Sequence, residues 1–304
     1  MYSIMIWNAQ HFDHQKAKLS SAYTDKKKFL DYYIAQKKPD IIALLEVGKT
    51  GTVNESLISD LMDSYTPVAL LEQEGGKKKH TTLGSMVLIR NAIASEFDDV
   101  TGRYILSHTE QRAPLIIRHK KTTYGFAFYH ANASFMAPGN IVDTVGFIES
   151  NAENLGIKEL LFFGGDLNVI ASEASNDILG MTKLLPSGAG FTHVSVRNVT
   201  LQKATNELRD LHERGLYRNN TPQVYLQEYM INQGIEKCEL QPILLLLDYA
   251  YVRHPDAWKA VCEGSLHVDS DSDGNAVDVV PLCVGQPIRS DHFPVLFTLN
   301  ASLG

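Results

Sequence analysis

Ser290-Asp291-His292-Phe293-Pro294-Val295, near the carboxyl end, sets a carboxylate beside an imidazole and then runs into Val295-Leu296-Phe297-Thr298-Leu299. A short apolar run of this kind reads as a buried strand. An Asp-His pair alone is common, so its meaning depends on what other strand ends bring to it. Working back, Ile243 to Val252 reads as one buried strand with Asp248 in its middle. A carboxylate amid that much apolar surface needs a charged or hydrogen-bonding partner. His292 is the expected one.

The same pattern recurs toward the amino end. Glu159-Leu160-Leu161-Phe162-Phe163 runs into Gly164-Gly165-Asp166-Leu167-Asn168. Small residues before an Asp let the backbone turn tightly and leave the carboxylate at the strand tip. Residues 111–117 and 124–130 read as a hairpin around Lys120-Lys121-Thr122, the second strand ending in His130-Ala131-Asn132. Asp40 to Glu46 reads as a strand buried on both faces that finishes in glutamate. The first strand, Ser3 to Asn8, finishes in Trp7-Asn8, and further strands are expected at 67–71 and 84–90.

Helices separate these strands. One starts at Ser21 or Thr24, carries Phe29, Leu30, Tyr33 and Ile34 as a stripe, and stops at Pro39. Another is expected over 54–63. A third runs from Ile141 to Leu155, with Val142, Val145, Ile148, Ala152 and Leu155 on one face and Gly156 ending it. Thr205 to Glu213 is also helical by pattern. Residues 170–242 are otherwise weakly patterned and read as an insertion within a single domain spanning 1–304. Two sets of strands separated by helices predict an α/β fold of two packed, mostly antiparallel sheets covered by helices, with the site at one rim.

The chain has 304 residues, 44% apolar and 21% charged, enough for a sizeable core. Its net charge of −7 makes it a poor non-specific binder of polyanions. The basic loop Lys77-Lys78-Lys79-His80 is a solvated tip in one reading and a phosphate-backbone contact in a sharper one. Three cysteines, Cys238, Cys262 and Cys283, give no disulfide framework, although a Cys262–Cys283 bridge stays open. No signal peptide is legible, which predicts a cytoplasmic protein as written, or a secreted one if a leader has been removed. Asp269-Ser270-Asp271-Ser272-Asp273-Gly274 spaces acids like the start of a calcium loop, but position twelve is Val280. A plain acidic loop is favoured over a Ca²⁺ site.

Six strand ends therefore carry polar groups: Asn8, Glu46, His130 with Asn132, Asp166 with Asn168, Asp248, and Asp291 with His292. Hydrolysing a phosphodiester requires neutralising a phosphate, activating water and stabilising a leaving oxygen. Glu46, with Asn8 near it, suits a hard cation such as Mg²⁺, with Mn²⁺ as an alternative. Asp166 can orient or deprotonate water and Asn168 can hold a phosphate oxygen. His292 oriented by Asp248 resembles an imidazole whose tautomer is fixed by a carboxylate. His130 can protonate a leaving group. No Gly-x-Ser-x-Gly, Cys-x-x-Cys or His-Glu-x-x-His occurs, and no Lys-Ser/Thr follows Gly164-Gly165, so serine hydrolysis, zinc sites and P-loops lack their residues.

Trp7-Asn8, the Glu46 strand end, His130-Ala131-Asn132, Gly165-Asp166-Leu167-Asn168, Asp248-Tyr249 and Ser290 to Val295 stand in the order of the endonuclease/exonuclease/phosphatase superfamily, of which deoxyribonuclease I is a familiar member. The resemblance spans residues 7–295. It implies a four-layer α/β/β/α sandwich and Mg²⁺-dependent phosphoester hydrolysis. It implies Glu46 as metal ligand with Asn8 beside it, and Asp291 as a metal-side or outer acid. Asp166 and Asn168 would orient water and phosphate. His130 and His292 would be the catalytic histidines, with Asp248 the partner of His292. Arg112, in Arg-Ala-Pro, resembles the family's phosphate-contacting arginine, and Asn132 is assigned to substrate phosphate with it. One departure stands out. Deoxyribonuclease I pairs its first histidine with a glutamate from the strand equivalent to 84–90, where this chain has Thr82-Leu83-Gly84-Ser85. His130 is thus expected to lack an orienting carboxylate. The wording of 130–133 and 290–295 is also similar to the active subunit of cytolethal distending toxins.

The favoured function is a Mg²⁺-dependent DNA endonuclease. A phosphatase or phosphodiesterase acting on phosphoinositides or other small phosphoesters is the alternative, mildly supported by the net charge. A non-catalytic binding module on the same scaffold is the third reading.

Overall fold

The run Ile41-Ile42-Ala43-Leu44-Leu45 has no face to give to water. In the computed structural model, which describes residues 1–12, 21–47, 60–74, 82–105, 112–131, 138–213 and 239–300, it lies inside a seven-stranded sheet. The order across that sheet is β11 (Ser187–Gly188), β15 (Trp258–Cys262), β19 (Val295–Leu299), β1 (Tyr2–Phe12), β2 (Ile41–Val47), β4 (Thr82–Arg90) and β3 (Tyr65–Glu74). A second seven-stranded sheet runs β5 (Phe97–Asp99), β6 (Leu115–His119), β7 (Tyr124–His130), β8 (Glu159–Asp166), β14 (Asp248–Val252), β10 (Met181–Leu184) and β9 (Asp177–Ile178). Smaller sheets pair β12 (His193–Asn198) with β13 (Leu240–Leu245), and join β16 (Gly264–Ser270), β17 (Ala276–Cys283) and β18 (Gln286–Pro287). Among the described residues, the parallel pairs in the two large sheets are β1–β2, β11–β15 and β7–β8.

Alternation along the second sheet assigns its two faces. Ile117, Phe126, Phe128, Phe162, Ala250 and Val252 share a core with Ile4, Ile6 and Phe297 of the first sheet. Their neighbours Ile116, Ala127, Tyr129, Phe163, Tyr249 and Tyr251 turn outward, onto Ile141, Val145 and Ile148 of the Pro138–Ser150 helix. Phe162 joins the sheets, its ring 5.2 Å from Phe297 and 5.3 Å from Trp258. Burying each such ring contributes roughly 1.5–3 kcal/mol. On the other side the Ser21–Lys37 helix lays Phe29 against Trp7, 5.2 Å between rings. The layers are helix, sheet, sheet, helix, as expected.

Several details differ from the sequence reading. Residues 243–252 do not form one buried strand. The chain leaves β13, whose residues are only partly buried, and re-enters the second sheet as β14, so Asp248 begins a strand instead of sitting in its middle. Thr192 sets the switch: its Oγ1 accepts the N–H groups of both Leu247 and Asp248. Val142 is exposed, because the helix presents Ile141, Val145 and Ile148 to the sheet. That helix ends at Ser150, and a short one, Ala152–Leu155, follows before Gly156 adopts a φ of 68°. Cys262 and Cys283 are buried free thiols. The 269–274 stretch ends β16 and turns toward β17, with Asp271 Oδ1 accepting the N–H groups of Asp273 and Asn275. Residues 48–59, the basic loop 75–81, Asn132, Cys238 and the rest of 214–238 lie outside the described residues.

Candidate active site

Strand register gathers the site. β7 and β8 are parallel and place His130 opposite Asp166, while antiparallel β14 places Asp248 opposite Asp166 on the other side. Asp166 therefore has an imidazole on one flank and a carboxylate on the other before any loop is considered. The first sheet adds the rest. β1 delivers Asn8, β2 delivers Glu46, and the loop entering β19 delivers Asp291 and His292.

That loop is tied to β1. Ser290 Oγ donates to Asn8 O at 2.8 Å and accepts the His292 N–H at 3.1 Å. Trp7 Nε1 donates to His292 O at 3.0 Å. The motif-bearing Ser and Trp thus hold the backbone of His292, not the chemistry. Around Asp166 the groups converge. Asn8 Nδ2 donates to Asp166 Oδ2 at 2.8 Å. The Nε2 atoms of His130 and His292 stand 3.6 and 3.5 Å from the same oxygen. Asp166 Oδ1 accepts the Asn168 N–H at 3.0 Å, and Asn168 Nδ2 donates to Ala131 O at 2.8 Å. On its far side, His292 Nδ1 meets Asp248 Oδ2 at 2.8 Å.

The chain leaves regular strand geometry at this level. Glu46 has a φ of 53° beside a register shift, and Gln10 and Asn168 have φ of 44° and 50°. Non-glycine residues hold such angles at a cost of about 1–3 kcal/mol each, typically where function needs a side chain re-aimed. The turn at Glu46 brings its Oε1 to 3.3 Å from His130 Nε2. His130 thus does have a carboxylate neighbour, contrary to expectation, and it comes from β2 instead of β4. Arg112 packs on the same ring, its Nη1 3.1 and 3.0 Å from the two ring nitrogens and 3.1 Å from Ala131 O, to which it donates. Burial lowers the guanidinium pKa from its ordinary value, against the opposing pull of Glu46 and Asp166.

Electrostatics follow from packing carboxylates around one imidazole. Burial alone would lower His292, but Asp248, Asp166 and Asp291 outweigh it and raise the imidazole pKa to about 10. Burial pushes Asp166 up as well, with Asp248 adding to it, against the pull of His292, His130 and the Asn8 hydrogen bond. Both shifts retain protons in the folded state. A group whose pKa is raised on folding stabilises fully below its unfolded value, about 6.5 for histidine, and loses that contribution as pH climbs toward the folded value. Between about pH 6.5 and 8.5 the protein is expected to lose about 2 kcal/mol of stability from His292. Denaturant melts at the two pH values check this, and His292→Gln should flatten the slope. An unchanged slope in the variant would assign the titration elsewhere.

Two residues that the sequence reading missed complete the site. Gln10 Nε2 donates to Asp291 Oδ2 at 2.8 Å. His193 Nε2 stands 3.6 Å from the same oxygen, and its ring lies 4.6 Å from that of His292. Burial raises Asp291, but His193 and His292 outweigh it and hold its carboxyl below the ordinary value. Asp291 is a hard oxygen donor whose buried Oδ1 has no hydrogen-bond partner, and its ligand atoms lie close to those of His193 and His292, so carboxylate and imidazole donors able to hold a divalent cation are gathered here. Asn8 spends both amide ends inside the protein, on Asp166 and on the Gln10 N–H.

No protein-family model and no curated protein matches the sequence. Solved structures do match. TDP2 from Caenorhabditis elegans superposes with a TM-score of 0.51 at 15% identity, over 99% of this chain and 75% of that one. An endonuclease/exonuclease/phosphatase family protein from Bacteroides thetaiotaomicron gives 0.49 at 12% identity, over 97% and 96% of the two chains. The human Nocturnin catalytic domain gives 0.47 at 11%, over 98% and 94%. The likeness to TDP2 covers nearly the whole chain and shows a shared fold, two packed sheets between layers of helix. Among the described residues, no helix is long and apolar enough to cross a membrane.

Proposed function

We propose that this chain is a metal-dependent phosphodiester hydrolase whose substrate is DNA. The observation that carries the reading is one carboxylate oxygen, Asp166 Oδ2, held by Asn8 and faced by the Nε2 atoms of two histidines, one of which is braced by a second carboxylate. A structural ion pair needs no such second imidazole.

The roles divide by charge. The carboxylates around His292 raise its pKa and favour the imidazolium, which suits it to donate to a non-bridging phosphate oxygen and not to act as a base. Asp248 fixes its tautomer and stabilises its charge. Asp166, pushed up by burial, is suited to accept a proton from water as that water attacks phosphorus. Asn8 orients Asp166, and the remaining Nδ2 hydrogen of Asn168 is available to substrate. His130, beside Glu46, returns a proton to the leaving oxygen as the P–O bond breaks. Arg112 adds positive charge on the His130 side. Mg²⁺, or Mn²⁺, would be held by Glu46 with Asp291, and when bound it supplies charge to the phosphate and to the departing oxygen. Asn132 extends the substrate contacts by its position in the His-Ala-Asn run.

The net charge of −7 favours a second reading, a small phosphoester such as a phosphoinositide, since a long polyanion is repelled. The test is a head-to-head assay with Mg²⁺: nicking of supercoiled plasmid against phosphate release from phosphoinositide micelles. Nicking that chelation abolishes supports the DNA reading. Phosphate release without nicking moves the substrate to the second. Activity on neither, with no Mg²⁺-dependent rise in melting temperature, overturns hydrolysis and leaves a binding module.

A further inference from the structure

We propose that His193, Asp291 and His292 form a binding site for a borderline transition-metal ion such as Zn²⁺, and that its occupation shuts the hydrolytic site. The trio is preassembled. One potential ligand atom from each lies within 4.8 Å of the other two. His193 Nε2 is 3.6 Å from Asp291 Oδ2, and His292 Nε2 is 3.9 Å from Asp291 Oδ1. Donors bound to one tetrahedral Zn²⁺ at about 2.1 Å stand about 3.4 Å apart, so small side-chain shifts close the site.

The chemistry of the donors selects the ion. Two imidazoles and one carboxylate favour Zn²⁺, Co²⁺ or Ni²⁺ over Mg²⁺, which prefers an all-oxygen shell. The outer contacts are those of a metal site as well. His292 Nδ1 is engaged by Asp248 Oδ2 at 2.8 Å, which leaves Nε2 as the atom presented to an ion. Asp291 is braced from the other side by Gln10, whose Nε2 donates to Oδ2 and whose Oε1 accepts the Asp291 N–H. Asp291 Oδ1 is buried and without a hydrogen-bond partner, facing His292.

The backbone fixes the spacing. His193 and His292 form an isolated antiparallel bridge, Val194 N–H donates to Asp291 O at 2.7 Å and Phe293 N–H to Thr192 O at 2.8 Å. β12 is therefore laced to the motif loop on both sides of the two rings. The consequence for hydrolysis rests on the function proposed above. A metal on Nε2 takes the place of the proton that His292 offers to phosphate, and it ties up Asp291.

Co²⁺ is the probe, because its visible d–d bands report nitrogen ligation without any substrate. Titration of the full chain should develop these bands at one equivalent. His193→Gln should weaken Co²⁺ binding at least tenfold, and so should Asp291→Asn. His267→Gln, at an exposed histidine on β16, should leave it unchanged. Absence of bands, or equal binding by His193→Gln, overturns the site. Zn²⁺ added under excess Mg²⁺ should inhibit hydrolysis, and His193→Gln should need at least tenfold more Zn²⁺ for half-inhibition of its own rate with Mg²⁺ alone. Saturation of the Co²⁺ site with no loss of activity overturns the inhibitory half. If no substrate is hydrolysed at all, the proposed function fails while the Co²⁺ titration still decides the site.

Discussion

Replacing His292 with alanine is expected to lower phosphodiester hydrolysis by about 10³-fold or more, about 4 kcal/mol of transition-state stabilisation. The same change at His130 is expected to cost about 10–10²-fold, toward the low end of acid–base contributions. The difference follows from how each ring is held. His292 is braced through Nδ1 by a buried carboxylate at 2.8 Å, and its backbone is tied to Trp7 and Ser290. The carboxylates around it raise its pKa and favour the charged ring, so its loss removes a cation from the place where negative charge builds up. His130 shares its surroundings with Arg112, whose guanidinium remains to meet negative charge when the imidazole is gone.

Asp248→Asn separates orientation from charge. It preserves volume but offers an amide to Nδ1, and it is expected to cost about 10²-fold or more through the wrong tautomer and a weaker imidazolium. Because the pair acts as a unit, the double variant Asp248→Asn/His292→Ala should be no slower than His292→Ala alone. Single-turnover rates at saturating substrate and Mg²⁺ provide the measurement, with melting curves as the control for folding. Equal losses at His130 and His292, or additive losses at Asp248 and His292, would remove this division of labour.

What could be read in the chain and what could not divide along a physical line. Apolar runs that end in a polar residue are local signals, so β2, β7, β8 and β19 and their tips were legible from spacing alone. The layer architecture followed, because each run needs a partner face. Contacts made by register were not legible. Glu46 reaches His130 only because its own φ is positive and β2 slips one residue against β4. His193 sits in a stretch without strong periodicity, and its role comes from a bridge to a residue 99 positions later. Gln10 lies two residues beyond the tip assigned to the first strand, on a backbone kink that hydropathy does not register. The leucine run before Asp248 hid a change of sheet, since the signal for it is a threonine hydroxyl from residue 192. A late threonine contact of that kind leaves no trace in the run itself. Asn54 to Asp63 and Asn132 fall largely or wholly outside the described residues and stay as expectations.

Gly165→Ala is expected to damage fold and site together. Gly165 has a φ of 152°, where an alanine is strained, and a Cβ there would stand 1.9 Å from the carbonyl oxygen of Tyr129 and 2.8 Å from its carbon. Both are backbone atoms of β7, which cannot swing aside like the end of a side chain. Relief requires the parallel β7–β8 pair to part at Tyr129↔Gly165, one step from the His130↔Asp166 pairing. The clash therefore falls on the register that puts the imidazole opposite the carboxylate. A change that breaks both a special backbone conformation and a packed strand pair belongs among the exceptional substitutions, at about 4 kcal/mol or more. For a chain of this size that lowers the melting temperature by roughly 6 °C or more. Gly102→Ala is the matched control, since a Cβ at Gly102 meets nothing within 4 Å. Thermal melts of the two variants decide the matter, and hydrolysis by the fraction of Gly165→Ala that remains folded should fall further than its stability accounts for. A melting temperature within two or three degrees of the parent would mean that β7 yields easily, and that the register joining His130 to Asp166 is softer than this close approach implies.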